Sequence, residues 1–116
     1  MNKLRNKVQL IGNLGANPEV FSFDGGRKKA IARLATSEVY KDATGKKVTD
    51  TQWHNIAAWG NTAELFEKYL VKGSEIAVEG KLTHRSYDDK EGNRKFISEV
   101  VVNELLMIDT KNRTAE

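Results

Sequence analysis

A single helix signal set among strand-length segments constrains the fold of this chain more than any other feature. Asn61 is a good helix N-cap with Glu64 three residues on, and Phe66, Tyr69 and Leu70 give an apolar stripe at i, i+3, i+4 before Gly73 closes the segment. Strand signals dominate elsewhere. Lys7 to Leu14 begins with alternation and runs into Gly15-Ala16-Asn17-Pro18, a turn cluster holding the only proline. Glu19 to Phe23 is short and β-prone, and Asp24-Gly25-Gly26 is a hairpin-type turn. Lys28 to Glu38 is the next strand, a charged loop spans Tyr40 to Lys47, and Thr51 to Trp59 is a strand again. After the helix, Ile76 to Leu82 and Phe96 to Met107 are strands, with a charged hairpin tip from Tyr87 to Arg94. The order is read as three strands, one helix and two strands. Five short β elements with one helix between the third and fourth match an OB-fold, an all-β architecture with one helix whose five-stranded Greek-key barrel is partly open. Strand faces and loops of such barrels bind oligonucleotides or oligosaccharides, so the fold alone leaves the ligand class open.

A chain of 116 residues makes one domain with a single core. We assign residues 1–109 to the barrel and 110–116 to a short C-terminal extension. No apolar run approaches the roughly 20 residues of a membrane span, and Met1 to Lys7 leads into a strand rather than a signal-peptide core. The expected location is cytoplasmic. The absence of cysteine excludes disulfides and thiolate zinc sites. Charge is unevenly distributed: residues 1–50 hold ten Lys/Arg against five Asp/Glu, and residues 51–116 hold nine against eleven. The basic excess collects at Lys3, Arg5, Lys7 and at Arg27, Lys28, Lys29, Arg33, which fits either solvated surface or the footprint of a polyanion.

The two tryptophans, Trp53 and Trp59, lie six residues apart on the strand before the helix. Even spacing puts both indoles on one face, about 20 Å apart at roughly 3.3 Å per residue. That face reads Trp53, Asn55, Ala57, Trp59, while Ile56 and Ala58 point to the other side. Core packing of both rings is one reading. A platform for unpaired bases is the other, because a polar and a small residue between two large rings fill a core poorly. Tyr40 beside Lys41, and Tyr87 two residues after Arg85, put further aromatics next to cations at loop bases.

Enzymatic signals are weak. His54 and His84 are far apart, and no Walker-type or dinucleotide glycine loop is present. Asp88, Asp89 and Glu91 could hold a hard cation, although Lys90 in their midst favours an ordinary solvated turn. Gly12-Asn13-Leu14-Gly15 has the spacing of a KH-domain loop but follows a strand, so its glycines fit a barrel strand that must bend and turn. We expect no catalytic activity, no metal and no cofactor.

Asn6 to Gly15, Asn17-Pro18-Glu19-Val20, Leu34-Ala35-Thr36-Ser37-Glu38, Trp53-His54-Asn55, Tyr69 to Ser74, Val78-Glu79-Gly80-Lys81-Leu82 and Glu99-Val100-Val101-Val102 resemble the bacterial single-stranded DNA-binding protein family. The match is ordered over about residues 3–109. The resemblance implies a homotetramer, a dimer of dimers, that wraps single-stranded DNA in replication, recombination and repair, in the cytoplasm with the nucleoid. It puts base stacking on Tyr40, Trp53, Trp59 and Tyr87, with tyrosine at two positions where the family often has tryptophan. Lys7, Lys72 and Arg85 match basic positions, and with Lys3, Arg5 and Lys41 they form the expected phosphate-neutralising set. The first strand from Lys7 through Val8, Gln9 and Leu10, together with His54, falls at subunit contacts, and Glu75 and Ala77 fall where two dimers pack. The final residues, Asp109 to Glu116, do not show the acidic, phenylalanine-tipped tail through which the family recruits partners, which leaves two readings of tail-mediated partners open: a protein without that recruiting function, or a chain truncated before the tail. Two rival readings are an OB-fold assembly module of a primosome type, whose sheet face contacts protein, and a small metal-dependent nuclease using Asp88, Asp89 and Glu91. Stacking tolerates either sugar, which leaves RNA open as a ligand.

Overall fold

A computed structural model describes residues 3–108. Six strands and one helix follow a short 3-10 turn at Lys3–Arg5: β1 (Val8–Leu14), β2 (Glu19–Phe23), β3 (Arg27–Lys41), β4 (Lys47–Trp59), α1 (Gly60–Tyr69), β5 (Glu75–Asp88) and β6 (Arg94–Met107). Glu19–Phe23 is thus a strand in its own right, and four strands rather than three precede the helix. The sheet order is β1-β5-β6-β4-β3-β2, and β1 also pairs with β3 through Asn13↔Ala35 and Leu14↔Leu34. Five strands therefore close into a ring where a partly open barrel was expected, and β2 hangs outside it as a hairpin partner of β3. One joint of the ring, β4 with β6, is parallel and short, from Asn55↔Glu99 to Ala57↔Val101.

Two glycines make this closure possible. A Cβ at Gly12 would overlap the Ala35 carbonyl where β1 crosses β3, and one at Gly80 would overlap the Val101 carbonyl beside a register shift in β5. Backbones approach so closely there that no other residue fits. Inside the ring, Leu34, Ile56, Ile76 and Val78 are essentially inaccessible. Phe66 of α1 joins them and plugs the barrel end between β3 and β4.

The helix begins differently from its sequence signal. Trp59 occupies the N-cap position in extended conformation with no side-chain cap, and Gly60 turns the chain at φ 61°. Asn61 therefore lies inside the first turn, and the capping box does not form. The left-handed Gly60 takes the strand straight into the helix, leaving no residue free to cap it. The buried stripe is Ala63, Phe66 and Leu70, and Tyr69 faces water. Gly73 lies beyond the helix end, in a turn where the Ser74 amide donates to the Val71 carbonyl and its own amide donates to Leu14. Lys28 Nζ reaches Glu67 Oε1 at 2.8 Å and fastens the helix to β3, and this partner raises the Lys28 pKa.

Two long hairpins leave the barrel, and each tip is organised by an aspartate. Asp42 Oδ1 accepts from the Thr44 hydroxyl at 2.7 Å, the Thr44 amide at 2.9 Å and the Lys46 amide at 3.0 Å. These donors hold the Asp42 carboxyl below the usual range, the Thr44 hydroxyl most of all. Asp89 Oδ1 likewise accepts from the Glu91 and Asn93 amides at 2.9 and 2.8 Å. That carboxylate is committed to its own turn. Asp88 has Arg94 at 3.9 Å, and among the described residues no group of His, Asp or Glu is arranged to hold a metal.

Closure at Gly12 predicts that Gly12→Ala lowers stability by at least the roughly 1–3 kcal/mol of ordinary overpacking, read as a shifted urea midpoint. An unchanged midpoint would contradict the close approach. The depressed Asp42 pKa gives a stabilising contribution that is present above the unfolded carboxylate pKa and fades as pH falls through the folded value. Amide exchange at Thr44 and Lys46, corrected for its intrinsic pH dependence, should show protection at neutral pH that is lost in acid and absent in Asp42→Ala.

Candidate nucleic-acid interface

The antiparallel register of β3 and β4 fixes which side chains share the outer wall of the barrel. Ala35↔Trp53, Arg33↔Asn55, Ile31↔Ala57 and Lys29↔Trp59 are direct cross-strand pairs, so Trp53, Asn55, Ala57 and Trp59 stand on one face with Arg33 and Lys29. Ile56 and Ala58 point inward and are buried, as the alternation requires. Trp53 and Trp59 are 49% and 40% exposed, which removes core packing as their role. The stretch between them is less open than the sequence suggests, because Ala57 is buried and Asn55 is half-buried.

Each indole is held by its surroundings. The edge of Trp53 lies against Gly15, where an added Cβ would come within 2.5 Å of its Cζ3, and the Arg33 guanidinium sits over its ring at 5.0 Å. Gly15 is itself pinned, its amide donating to the Arg33 carbonyl at 3.1 Å. Trp59 stacks on Phe23, centroids 5.9 Å apart and planes at 28°, with Arg27 and Lys29 over its ring at 5.2 and 5.1 Å.

Beside Trp53 the wall dips into a recess of ≈390 Å³ lined by Arg33, Asn55, Arg85, Ile97 and Glu99. Glu99 is 7% exposed at its floor, and Arg85 Nε meets its Oε1 at 3.2 Å. Arg85 thus covers a buried carboxylate while half of its own side chain faces water. Tyr87, two residues along β5 and opposite Lys95, continues the same side and is exposed.

The remaining expected residues divide. Tyr40 pairs with Val48 and shares the parity of His54 and Leu34, so the register turns it to the side of the β3–β4 ribbon opposite Trp53. Lys41 falls on the Trp53 side. Lys72 is exposed in the turn after α1, its amide donating to Asn17 Oδ1 at 2.7 Å at the rim of the recess. Lys7 lies 3.6 Å from Glu79 on the β1–β5 side, away from the recess. Arg5 is exposed in the 3-10 turn at Lys3–Arg5, and the side chain of Lys3 and residues 109–116 lie outside the described residues. Of the residues expected at subunit contacts, Gln9, Glu75 and Ala77 share the outer face of β1 and β5 beside exposed Ile11 and Leu106. Val8 and Leu10 instead pack against the core, and His54 Nε2 is 2.9 Å from the Thr36 hydroxyl.

Sequence reasoning found the rings and missed their escorts. In the sequence Arg27, Lys29 and Arg33 read as a basic cluster and Glu19 to Phe23 as a short β-prone segment, with nothing in that reading to seat them against the rings. The signal was present: Ala30, Ala32 and Leu34 occupy the even positions of β3, which sends the odd cations to the tryptophan face.

The model of the single-strand binding protein family matches residues 5–108 of the chain. A single-stranded DNA-binding protein 1 of Xylella fastidiosa is 41% identical over 107 residues, covering 91% of this chain and 79% of that protein. The protein of the same name from Chlorobaculum tepidum is 42% identical over 108 residues, 92% of this chain and 67% of its own. Among solved structures, the Plasmodium falciparum SSB complex with ssDNA superposes with TM-score 0.82 at 34% identity, covering 90% of this chain and 95% of that one. A deletion mutant of the Thermus aquaticus single-stranded DNA-binding protein superposes with TM-score 0.76 at 29% identity, over 92% of this chain and 52% of that one. A matched segment that runs from the first 3-10 turn to the end of β6, together with relatives at this identity, places the chain in the single-strand binding protein family.

Proposed function

We propose that this protein binds single-stranded DNA without reading its sequence and protects it during replication, recombination and repair, as a non-enzymatic homotetramer in the nucleoid-containing cytoplasm. The observation that carries the reading is the pair of half-exposed indoles on the barrel wall, each with a cation over its ring. Exposed aromatic faces accept any base, and the neighbouring charges accept phosphates. Trp53 and Trp59 take bases, with Tyr87 continuing the path from the recess. Tyr40 joins only where the twisted β3–β4 ribbon, or a neighbouring subunit, brings its other side to the strand. Lys41 and Lys72 border this path and serve its phosphates, and Arg85 and Lys7, held by Glu99 and Glu79, join where a phosphate draws them from those carboxylates.

Magnitudes favour exchange at the rings. A cation over an exposed aromatic contributes about 0.5–1 kcal/mol. A stacked base contributes about 1–3 kcal/mol. The base therefore takes the ring, and the displaced guanidinium or ammonium turns to the phosphate beside it. Copies associate through the outer face of β1 and β5, where Gln9, Glu75 and Ala77 lie with exposed Ile11 and Leu106. No helix among the described residues is long and apolar enough to cross a membrane, in keeping with that location.

Titration with poly-dT should quench tryptophan fluorescence and weaken steeply as salt rises, because counterions released from the strand oppose binding. Salt-indifferent binding would refute the phosphate role. Trp53→Ala should cost about 1–3 kcal/mol of affinity with the fold intact, and an unchanged affinity would remove that ring from the path.

A further inference from the structure

β2 lies outside the barrel ring as a hairpin partner of β3, yet its outward side is not the polar surface that an edge strand usually shows water. Val20 turns inward and packs against the core, which sends Phe21 and Phe23 outward at 44% and 47% exposure. Direct register sets Phe21 across from Lys29, Lys29 across from Trp59, and Phe23 across from Arg27. Neither Arg27 nor Lys29 forms an ion pair with a carboxylate among the described residues. Lys28 between them faces the other way and is paired with Glu67. Phe21, Phe23 and Trp59 therefore share one small surface with these two cations, and Glu19, the carboxylate on the same side of β2, sits opposite Ile31 toward the recess.

We propose that Phe21, Phe23, Arg27 and Lys29, gathered around Trp59, form a second nucleotide-binding patch that takes the single strand as it leaves the Trp53 recess. The inference rests on the function proposed above and extends it onto the hairpin. Flat rings with unpaired cations beside them match a chain of bases joined by phosphates. The Phe23–Trp59 stack is already closed at 5.9 Å, so a base lies against its outer surface rather than between the rings. Arg27 and Lys29 leave the Trp59 ring for the phosphates on either side. Phe21 extends the apolar floor toward the free edge of β2.

The test uses Trp53→Phe, which leaves Trp59 as the sole indole of the chain. Poly-dT should quench this remaining tryptophan. In the same background, Phe21→Leu with Phe23→Leu keeps apolar bulk and the fold, checked by circular dichroism. It should weaken binding about tenfold, the effect of one lost stack. Arg27→Gln with Lys29→Gln should lower the slope of log affinity against log salt by roughly 0.7 per cation. Affinity and salt slope unchanged from the Trp53→Phe parent in both sets of variants, with poly-dT still bound and displaced by salt, would overturn the patch and leave the proposed function standing. Failure of the unmodified protein to bind poly-dT at all would overturn both.

Discussion

The close crossing of β1 over β3 at Gly12 is the constraint on which the rest of the structure depends. Once a strand passes with its backbone against the Ala35 carbonyl, the sheet becomes a ring, and the ring has a full interior. Leu34, Ile56, Ile76 and Val78 fill that interior and Phe66 plugs its end, leaving no room for an indole. Alternation along β4 then sends Trp53 and Trp59 to the outer wall. Their exposure follows from how the barrel closes.

Much of this was legible in the chain. The alternation of Ile56 and Ala58 with Trp53 and Trp59 gave the face of each side chain, and the single helix gave its place in the order. Three features were hidden for physical reasons. Asn61 and Glu64 have the spacing of a capping box, but Gly60 in the left-handed region starts the helix directly from the strand, so the box has no place to form. Tyr40 beside Lys41 reads as a stacking ring at a loop base, whereas the β3–β4 register turns it to the side of the ribbon opposite Trp53. The cation over each ring depends on the β3–β4 register, which one sequence does not specify until the turn between the strands is known.

Electrostatics on the wall is arranged around the rings rather than spread as a uniform basic patch. Arg33 covers Trp53, Arg27 and Lys29 cover Trp59, and Arg85 covers Glu99 at the floor of the recess. In the free protein Arg27, Lys29 and Arg33 lie over apolar ring surface, and Arg85 offsets a buried carboxylate. On the proposed reading, the cations over the rings turn to phosphates when bases stack. On that reading the same side chains serve solubility and binding in turn, a division that a net charge of +3 does not reveal.

The most direct test of this account is a nitrogen-edited NMR titration that follows the two indole N–H groups and the Arg33 side chain as an oligo-dT is added. Both indole signals and the Arg33 Nε–H should shift together, while the buried amides of Ile76 and Val78 hold their positions. Oligo-dT that binds and leaves both indoles unshifted would contradict the claim that bases stack on the tryptophan face.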